Sequence, residues 1–344
     1  VQLEAAFARA LAVLDPPRRF ALAVSGGPDS VALMHLAAAL RPVVFTVDHG
    51  LRVGSAAEAA GVAAAAARLG LAHETLRWTG DKPRAGLQAA ARAARYGLLA
   101  AACARAGAAT LLTGHTLDDQ METIAMRRAK GSGAAGLAGM ASQTRLPGDD
   151  VRLARPLLGV RKVVLVTFLE RMGAAYVTDP SNVDVRFDRG RLRSGGMTDF
   201  AVAEIAEAGR QRVHQERAAL AFLDGATKLP DGAILLERAA LAGLPADVDD
   251  VVLTALLRRV GGAAYPGNQA ERGRVLAAIR GEGPFAGRTL AGCTIRRATR
   301  AEAGVSDSLV FAAESPGMAP QSDWWLPFAQ FSQIGPDGLS LTET

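Results

Sequence analysis

Cysteine is nearly absent from this 344-residue chain: only Cys103 and Cys293 occur, far apart and in no C-x-x-C pair. That argues against a cysteine-held zinc, an iron–sulfur cluster or a disulfide framework. Aromatic residues make up only 5% of the chain while hydrophobic residues make up 49%, so a sizeable core has to be built from Ala, Leu and Val. Lysine is also scarce, at Lys82, Lys130, Lys162 and Lys228 alone, so the net charge of +5 is carried almost wholly by arginine. The planar fork of arginine suits phosphate. The excess permits an RNA partner, although biased base composition would enrich Arg and Ala just as well. There is no signal peptide and no uncharged apolar run of spanning length, so no membrane partner is expected and cytoplasm is the default. The chain begins at Val1, so a native N-terminus before it is expected. No internal repeat is present.

Against these absences stands one glycine-rich segment, Ser25-Gly26-Gly27-Pro28-Asp29-Ser30. It follows an apolar run at 20–24 that reads as a buried strand and opens a helical stretch at 31–40. A turn of this kind aims backbone N–H groups and a helix dipole at one spot and favours an anion there. Gly26 and Gly27 let the backbone approach a phosphate, and Ser25 and Ser30 add hydroxyl donors. The segment contains no lysine, so it is not a Walker A loop. Its chemistry suits a free or leaving pyrophosphate; the bland alternative is an ordinary strand-to-helix turn.

The first half of the chain alternates strand-like segments (20–24, 43–47, 73–77, 110–113) with helix-like ones (30–40, 55–69, 87–106). Ser55 and Glu58 have the spacing of a capping box. Such alternation predicts an α/β fold with a doubly wound parallel sheet and ligands at the carboxyl ends of the strands. Three divisions are expected: a catalytic domain at 1–195, a helical region at 196–282, and a short strand-rich region with a tail at 283–344. The last carries Arg288, Arg296, Arg297 and Arg300, looks basic, and ends in Trp324 and Trp325.

Further motifs fall at strand ends. Val47-Asp48-His49-Gly50-Leu51-Arg52 can flank a base or ribose, or be a hydrated turn. In Gly114-His115-Thr116-Leu117-Asp118-Asp119-Gln120-Met121-Glu122-Thr123, a helix would place His115, Asp119 and Glu122 roughly on one face. That cluster suits Mg²⁺ held through water, or a cationic substrate; acidic residues in a first turn also simply complement the dipole. Gly131-Ser132-Gly133-Ala134-Ala135-Gly136 matches G-x-G-x-x-G, but its helical, basic approach contradicts a dinucleotide site. Arg92 and Arg95 in Ala91-Arg92-Ala93-Ala94-Arg95-Tyr96 share a helix face. Asp179-Pro180-Ser181-Asn182 leads into Arg189, Arg191 and Arg193, which an extended chain would project from one face toward a triphosphate or RNA backbone.

Taken in order, these segments, with Arg155-Pro156-Leu157-Leu158, resemble the tRNA(Ile)-lysidine synthases, a bacterial family of PP-loop ATP pyrophosphatases. The likeness covers 20–193 well and the remainder loosely, and the C-terminal region looks shortened beside the long family members. It implies ATP and Mg²⁺, a tRNA(Ile) with a CAU anticodon bound by the 196–282 region and contacted by Arg296 and Arg297, and free L-lysine. In the implied reaction the wobble cytidine is adenylated with loss of pyrophosphate, and lysine then displaces AMP to give lysidine. Mapped onto this chain, Ser25, Gly26, Gly27, Pro28, Asp29 and Ser30 bind the nucleotide with Asp48 and His49. Asp29 is the candidate Mg²⁺ ligand. Asp119 and Glu122 are candidates for the amino groups of lysine, and Arg95 for its carboxylate or a phosphate. His115 or a carboxylate would accept the proton of the amine, and Arg189 and Arg191 would neutralise the triphosphate. The sequence leaves the oligomeric state open, a homodimer included.

Overall fold

The computed structural model describes residues 2–14, 19–51, 54–83, 85–129, 139–146, 151–177, 202–262, 266–304 and 307–315. The loop at 131–136, the turn at 179–182, Arg189, Arg191 and Arg193, and the tail tryptophans lie outside the described residues. The chain divides into two compact units, with the boundary between Gly209 and Arg210.

The first unit runs α1 (Gln2–Leu14), β1 (Ala21–Ala23), α2 (Pro28–Ala37), β2 (Val43–Asp48), α3 (Ser55–Arg68), β3 (His73–Arg77), α4 (Leu87–Ala106), β4 (Thr110–Thr113), α5 (Leu117–Ala129), β5 (Gln143–Arg145), β6 (Arg152–Ala154) and α6 (Lys162–Arg171). Its six-stranded sheet has the order β3-β2-β1-β4-β6-β5. β1 to β4 and β6 are parallel, and β5 alone runs antiparallel, against β6. The sheet is therefore α/β and parallel-dominated, as the alternating pattern predicts.

Strand periodicity explains why both faces carry helices. Successive side chains leave a strand on opposite faces. Leu22, Val44, Leu112 and Ala154 join a core with α1, α2, α3 and α6 through Leu14, Leu33, Val62 and Leu165. Their neighbours Ala21, Phe45, Leu111 and Leu153 join a second core with α4 through Leu99, Ala100 and Cys103. With both faces covered, the central strands read as continuous apolar runs rather than alternating ones.

One local expectation is corrected. The N-cap of α3 is Gly54 at φ 103°, with no side-chain cap. Ser55 already lies inside the helix, and its hydroxyl donates to Asp48 instead. A carboxylate is the stronger acceptor, and a Gly in the left-handed region makes that turn without a Ser/Glu box.

The second unit contains most of α7 (Val202–Asp224), then β7 (Thr227–Lys228), β8 (Ile234–Glu237), α8 (Arg238–Ala242), α9 (Val248–Gly261), α10 (Gln269–Arg280), β9 (Arg288–Leu290), β10 (Cys293–Arg297), α11 (Arg300–Ala303) and β11 (Ser308–Ala313). Its antiparallel sheet has the order β7-β8-β11-β10-β9. The sheet draws strands from both sides of the 282/283 division expected from sequence, and one core joins them. Cys293 and Ile295 of β10 and Leu309 and Phe311 of β11 point into that core with Leu253, Leu256 and Leu257 of α9. β7 and β8 are too short, at two and four residues, to show a period-two pattern.

Arg238 closes this unit. Its side chain is only 9% exposed. Its guanidinium donates to the carbonyls of Ile279 (2.8 Å), Gly283 (2.9 Å) and Ala278 (3.3 Å), ending α10, and pairs with Asp307 at 3.2 Å. The Ala278 and Ile279 carbonyls would otherwise be orphans of the helix end. Arg238→Met keeps the stem but removes every donor, and should cost about 3–5 kcal/mol by urea unfolding followed by circular dichroism. A loss below about 1 kcal/mol would show that water replaces the guanidinium.

Candidate active site

The order of the sheet decides where a ligand goes. β1 pairs with β2 on one side and β4 on the other, so the chain reverses direction across the sheet at β1. A crevice opens at the carboxyl ends of the strands at such a reversal. Here it is a cavity of about 580 Å³ lined by Ser25, Gly27, Asp29 and Ser30 after β1, Thr46, Val47 and His49 around the end of β2, Arg95 and Tyr96 of α4, and Gly114 and His115 after β4. The volume is in the range of small-molecule sites.

The loop after β1 holds its shape by internal hydrogen bonds. Gly26 turns at φ 90°, where a side chain is strained. The Ser30 hydroxyl donates to the Gly27 carbonyl at 2.9 Å and accepts from the Ser25 N–H at 3.1 Å. Ser30 is therefore buried scaffold, while Ser25 is exposed beside the cavity. Gly27 is the N-cap of α2 and Pro28 its first residue. Pro lacks the N–H that would be orphaned there, and the remaining first-turn N–H groups point out of the helix end.

Gly114 permits the two loops to meet. A Cβ on Gly114 would lie 2.7 Å from the Asp29 carbonyl oxygen and 3.0 Å from the Ser30 nitrogen. Only a glycine fits between β4 and the first turn of α2. This brings His115 to the same cavity as the glycine loop, across a gap of 85 residues from Ser30 to His115.

The carboxylates are unequally committed. Asp119 Oδ2 accepts from the Thr116 N–H (2.8 Å) and hydroxyl (3.0 Å), while the Thr116 hydroxyl accepts from the Asp119 N–H at 3.4 Å, so the pair caps α5. Asp118 Oδ2 accepts from the Lys162 N–H at 2.7 Å, capping α6 from a neighbouring element, and Asp118 Oδ1 lies 3.4 Å from Arg161. Asp29 Oδ2 pairs with the Lys162 ammonium at 3.1 Å, and its Oδ1 is buried with no hydrogen-bond partner. Burial raises the Asp29 carboxyl above its ordinary range; Lys162 opposes this, and Asp119 and Asp118 add to it. Glu122 is 1% exposed and does not line the cavity. Asp48 does not line it either: its carboxylate accepts from Ser55 and from the Gly50 N–H (2.9 Å), which hold it below the ordinary range.

The opposite wall is basic. Arg92 and Arg95 lie 5.0 and 4.8 Å from the Tyr96 ring centre, and Arg95 donates to the Tyr96 hydroxyl at 3.1 Å. Burial pushes His115 down to about 4, with Arg155, Arg95 and Arg92 lowering it further and Asp119 opposing them. The imidazole is thus neutral near pH 7, its Nδ1 2.9 Å from the Thr113 hydroxyl. His49, also lowered by burial and then by Arg95, stands edge-on to Trp78 at 6.0 Å. Among the described residues, no three His, Cys, Asp or Glu side chains form a metal cage.

Sequence reasoning missed Lys162 and gave no role to Arg155 or Tyr96. Lys162 had one faint signal, as one of only four lysines standing at a helix start. Cys103 is fully buried in the core, and burial pushes the Cys293 thiol up to about 12, so neither is poised as a nucleophile.

Gly114→Ala should leave a folded chain but drive the loops apart, weakening ATP binding at least tenfold by calorimetry. An unchanged affinity would show that the approach of the two loops does not shape the phosphate site.

A family model described as a PP-loop domain matches residues 1–198. The tRNA(Ile)-lysidine synthase of Methylobacterium sp. (strain 4-46) is 44% identical, the match covering 77% of this chain and 82% of that one. The enzyme of the same name from Methylobacterium nodulans is 47% identical over 76% of this chain and 83% of its own. Among solved structures, the U34-tRNA thiolase NcsA from Methanococcus maripaludis is similar at 15% identity and TM-score 0.48, covering 64% of this chain and 80% of that one. With a PP-loop match over more than half its length and near-full-length relatives of one kind, the chain belongs to the tRNA(Ile)-lysidine synthase family.

Proposed function

We propose that this chain ligates L-lysine to C2 of the wobble cytidine of the CAU-anticodon tRNA(Ile), using ATP and passing through an adenylated cytidine. The observation that carries this reading is the junction of the glycine loop with the His115 segment in one cavity, in a chain of this family. Cytosine O2 attacks the α-phosphate and pyrophosphate leaves; the ε-amine of lysine then attacks C2 and AMP leaves. Negative charge grows on the pyrophosphate, so the first-turn N–H groups of α2 and the Ser25 hydroxyl stabilise it as it forms. His49 and the ends of β1 and β2 wall the nucleoside side.

Free lysine carries two ammonium groups and a carboxylate, and the site offers both signs. Arg95 lines the cavity and suits the carboxylate or a phosphate. Asp119 suits an ammonium through Oδ1, the oxygen not spent on the cap, with Glu122 one turn deeper in α5. The attacking amine must lose a proton. His115 is neutral, but the burial and arginines that keep it so also make it a weak base, which leaves a carboxylate as the alternative acceptor. Mg²⁺ fits Asp29: Oδ1 is a buried, unpartnered acceptor at the phosphate loop. Magnesium is ordinarily held by one or two carboxylates plus phosphate oxygens, and it would neutralise charge on the triphosphate. A homodimer is compatible with this chemistry and is not required by it.

The second unit is assigned to the tRNA, and its surface is narrower than the sequence implies. Arg296 is bidentate to Glu302 at 2.6 and 2.8 Å, and Arg297 lies 3.6 Å from Asp307. Arg288 and Arg300 are exposed and make no ion pair among the described residues. No described helix is long and apolar enough to cross a membrane.

The deciding experiment is ATP- and tRNA-dependent incorporation of labelled lysine into a CAU transcript. ATP turnover with some other acceptor and no incorporation would sink the assignment. Asp29→Ala should abolish adenylation and leave tRNA affinity within about twofold; lost tRNA binding would make Asp29 structural. Replacing both Arg288 and Arg300 by Ala should weaken tRNA binding and flatten its log–log salt slope by roughly one to two units, more than the same change at Arg296 and Arg297. An unchanged salt slope in both double variants would place the RNA elsewhere.

A further inference from the structure

We propose that the Lys162 ammonium is the resident counter-ion of Asp29, and that a divalent cation reaches this carboxylate only by displacing it, which makes metal entry depend on bound nucleotide. The inference rests on the ATP and Mg²⁺ reading above. Three aspartates stand in the first turns of two helices, Asp29 in α2 and Asp118 and Asp119 in α5. Two of them are consumed by helix caps, Asp119 by Thr116 and Asp118 by the N–H of Lys162. Asp29 alone is held only by an ammonium, at 3.1 Å, and keeps a second oxygen buried and unpartnered.

The placement of Lys162 is costly without that partner. It is the first residue of α6, at the positive end of the helix dipole, where a cation is disfavoured. Its backbone is pinned there, since its N–H donates to Asp118. What remains free to exchange is the four-carbon stem and its point charge, which is 32% exposed. An ammonium in this setting lets go more readily than a bidentate guanidinium would.

The consequence is an order of events. Magnesium is ordinarily held by one or two carboxylates together with phosphate oxygens, so Asp29 would share the cation with the nucleotide. A bare cation at Asp29 would face an expelled ammonium with no new anion to receive it. A nucleotide brings those anions. Lys162 therefore suppresses metal binding to the empty enzyme and permits it once phosphates are in place.

The test uses the full chain, Mn²⁺ as a paramagnetic probe, and an ATP analogue with an uncleavable α,β bridge. Electron paramagnetic resonance counts bound metal, so no turnover is needed. Wild-type protein should bind Mn²⁺ weakly alone and at least tenfold more tightly with the analogue. Lys162→Met should bind Mn²⁺ alone at least tenfold more tightly than wild type and lose most of the nucleotide enhancement, and Lys162→Arg should return the binding of Mn²⁺ alone to the weak wild-type level. Unchanged Mn²⁺ affinity in a Lys162→Met protein of wild-type circular dichroism would overturn the proposal. Should that variant fail to fold, reductive ¹³C-methylation of the wild type gives a signal for each of its four lysines. The Lys162 signal should shift with Mg²⁺ plus analogue but not with Mg²⁺ alone; a signal that stays put under both would also overturn it. If wild type shows no nucleotide-dependent Mn²⁺ binding at all, the ATP and Mg²⁺ reading falls and takes this inference with it.

Discussion

The hydrogen-bonded pairing of β1 with both β2 and β4 is the constraint on which the site depends. A strand paired on both sides has its carboxyl end at a point where the loops on either side turn away from each other. The glycine loop leaves β1 there, the His49 turn leaves β2, and the Gly114 turn leaves β4. Each segment alone is an ordinary strand-to-helix connection. Parallel pairing in register makes them three walls of one cavity, and Gly114 lets two of them approach within a backbone contact.

Charge in this cavity is arranged by subtraction. Carboxylates that the sequence offers as site candidates are mostly spent on local geometry. Asp118 and Asp119 cap helices, Asp48 fixes a turn with Ser55 and Gly50, and Glu122 is buried in α5. Asp29 is left as the carboxylate with an unsatisfied oxygen at the glycine loop. On the other wall, Arg92 and Arg95 gather around Tyr96, and with Arg155 they join burial in keeping His115 neutral. Burial and a positive wall disfavour the imidazolium, so this imidazole stays uncharged near pH 7 and is at the same time a weak base.

Much of the first unit is legible in the order of its residues. Alternating strand and helix segments point to the parallel sheet, and the segments at 43–47, 73–77 and 110–113 match β2, β3 and β4 closely. β2 is marked by its apolar run and β4 by Leu111 and Leu112, whereas β3, His73-Glu74-Thr75-Leu76-Arg77, buries Leu76 alone. β5 and β6 are not legible, because three-residue strands interrupted by arginine carry no periodic signal. The Ser55–Glu58 spacing misleads for a related reason. A capping pattern records what a hydroxyl can reach locally, and here a carboxylate at the end of another element is the better partner. In the second unit the same limit hides β7 and β8, so a reading by residue pattern divides one sheet between two regions.

The sequence by itself determined the class of fold, the chemistry of the glycine loop and the family, because these depend on residue types at short, fixed spacings. Only the tertiary structure decided which charges remain available. Lys162 lies 133 residues from Asp29 along the chain, and no spacing rule connects them. Hydrogen bonds and ion pairs act over about 3 Å in space. Whether a carboxylate is a cap, a turn-fixing group or a ligand is therefore settled by what packing brings beside it.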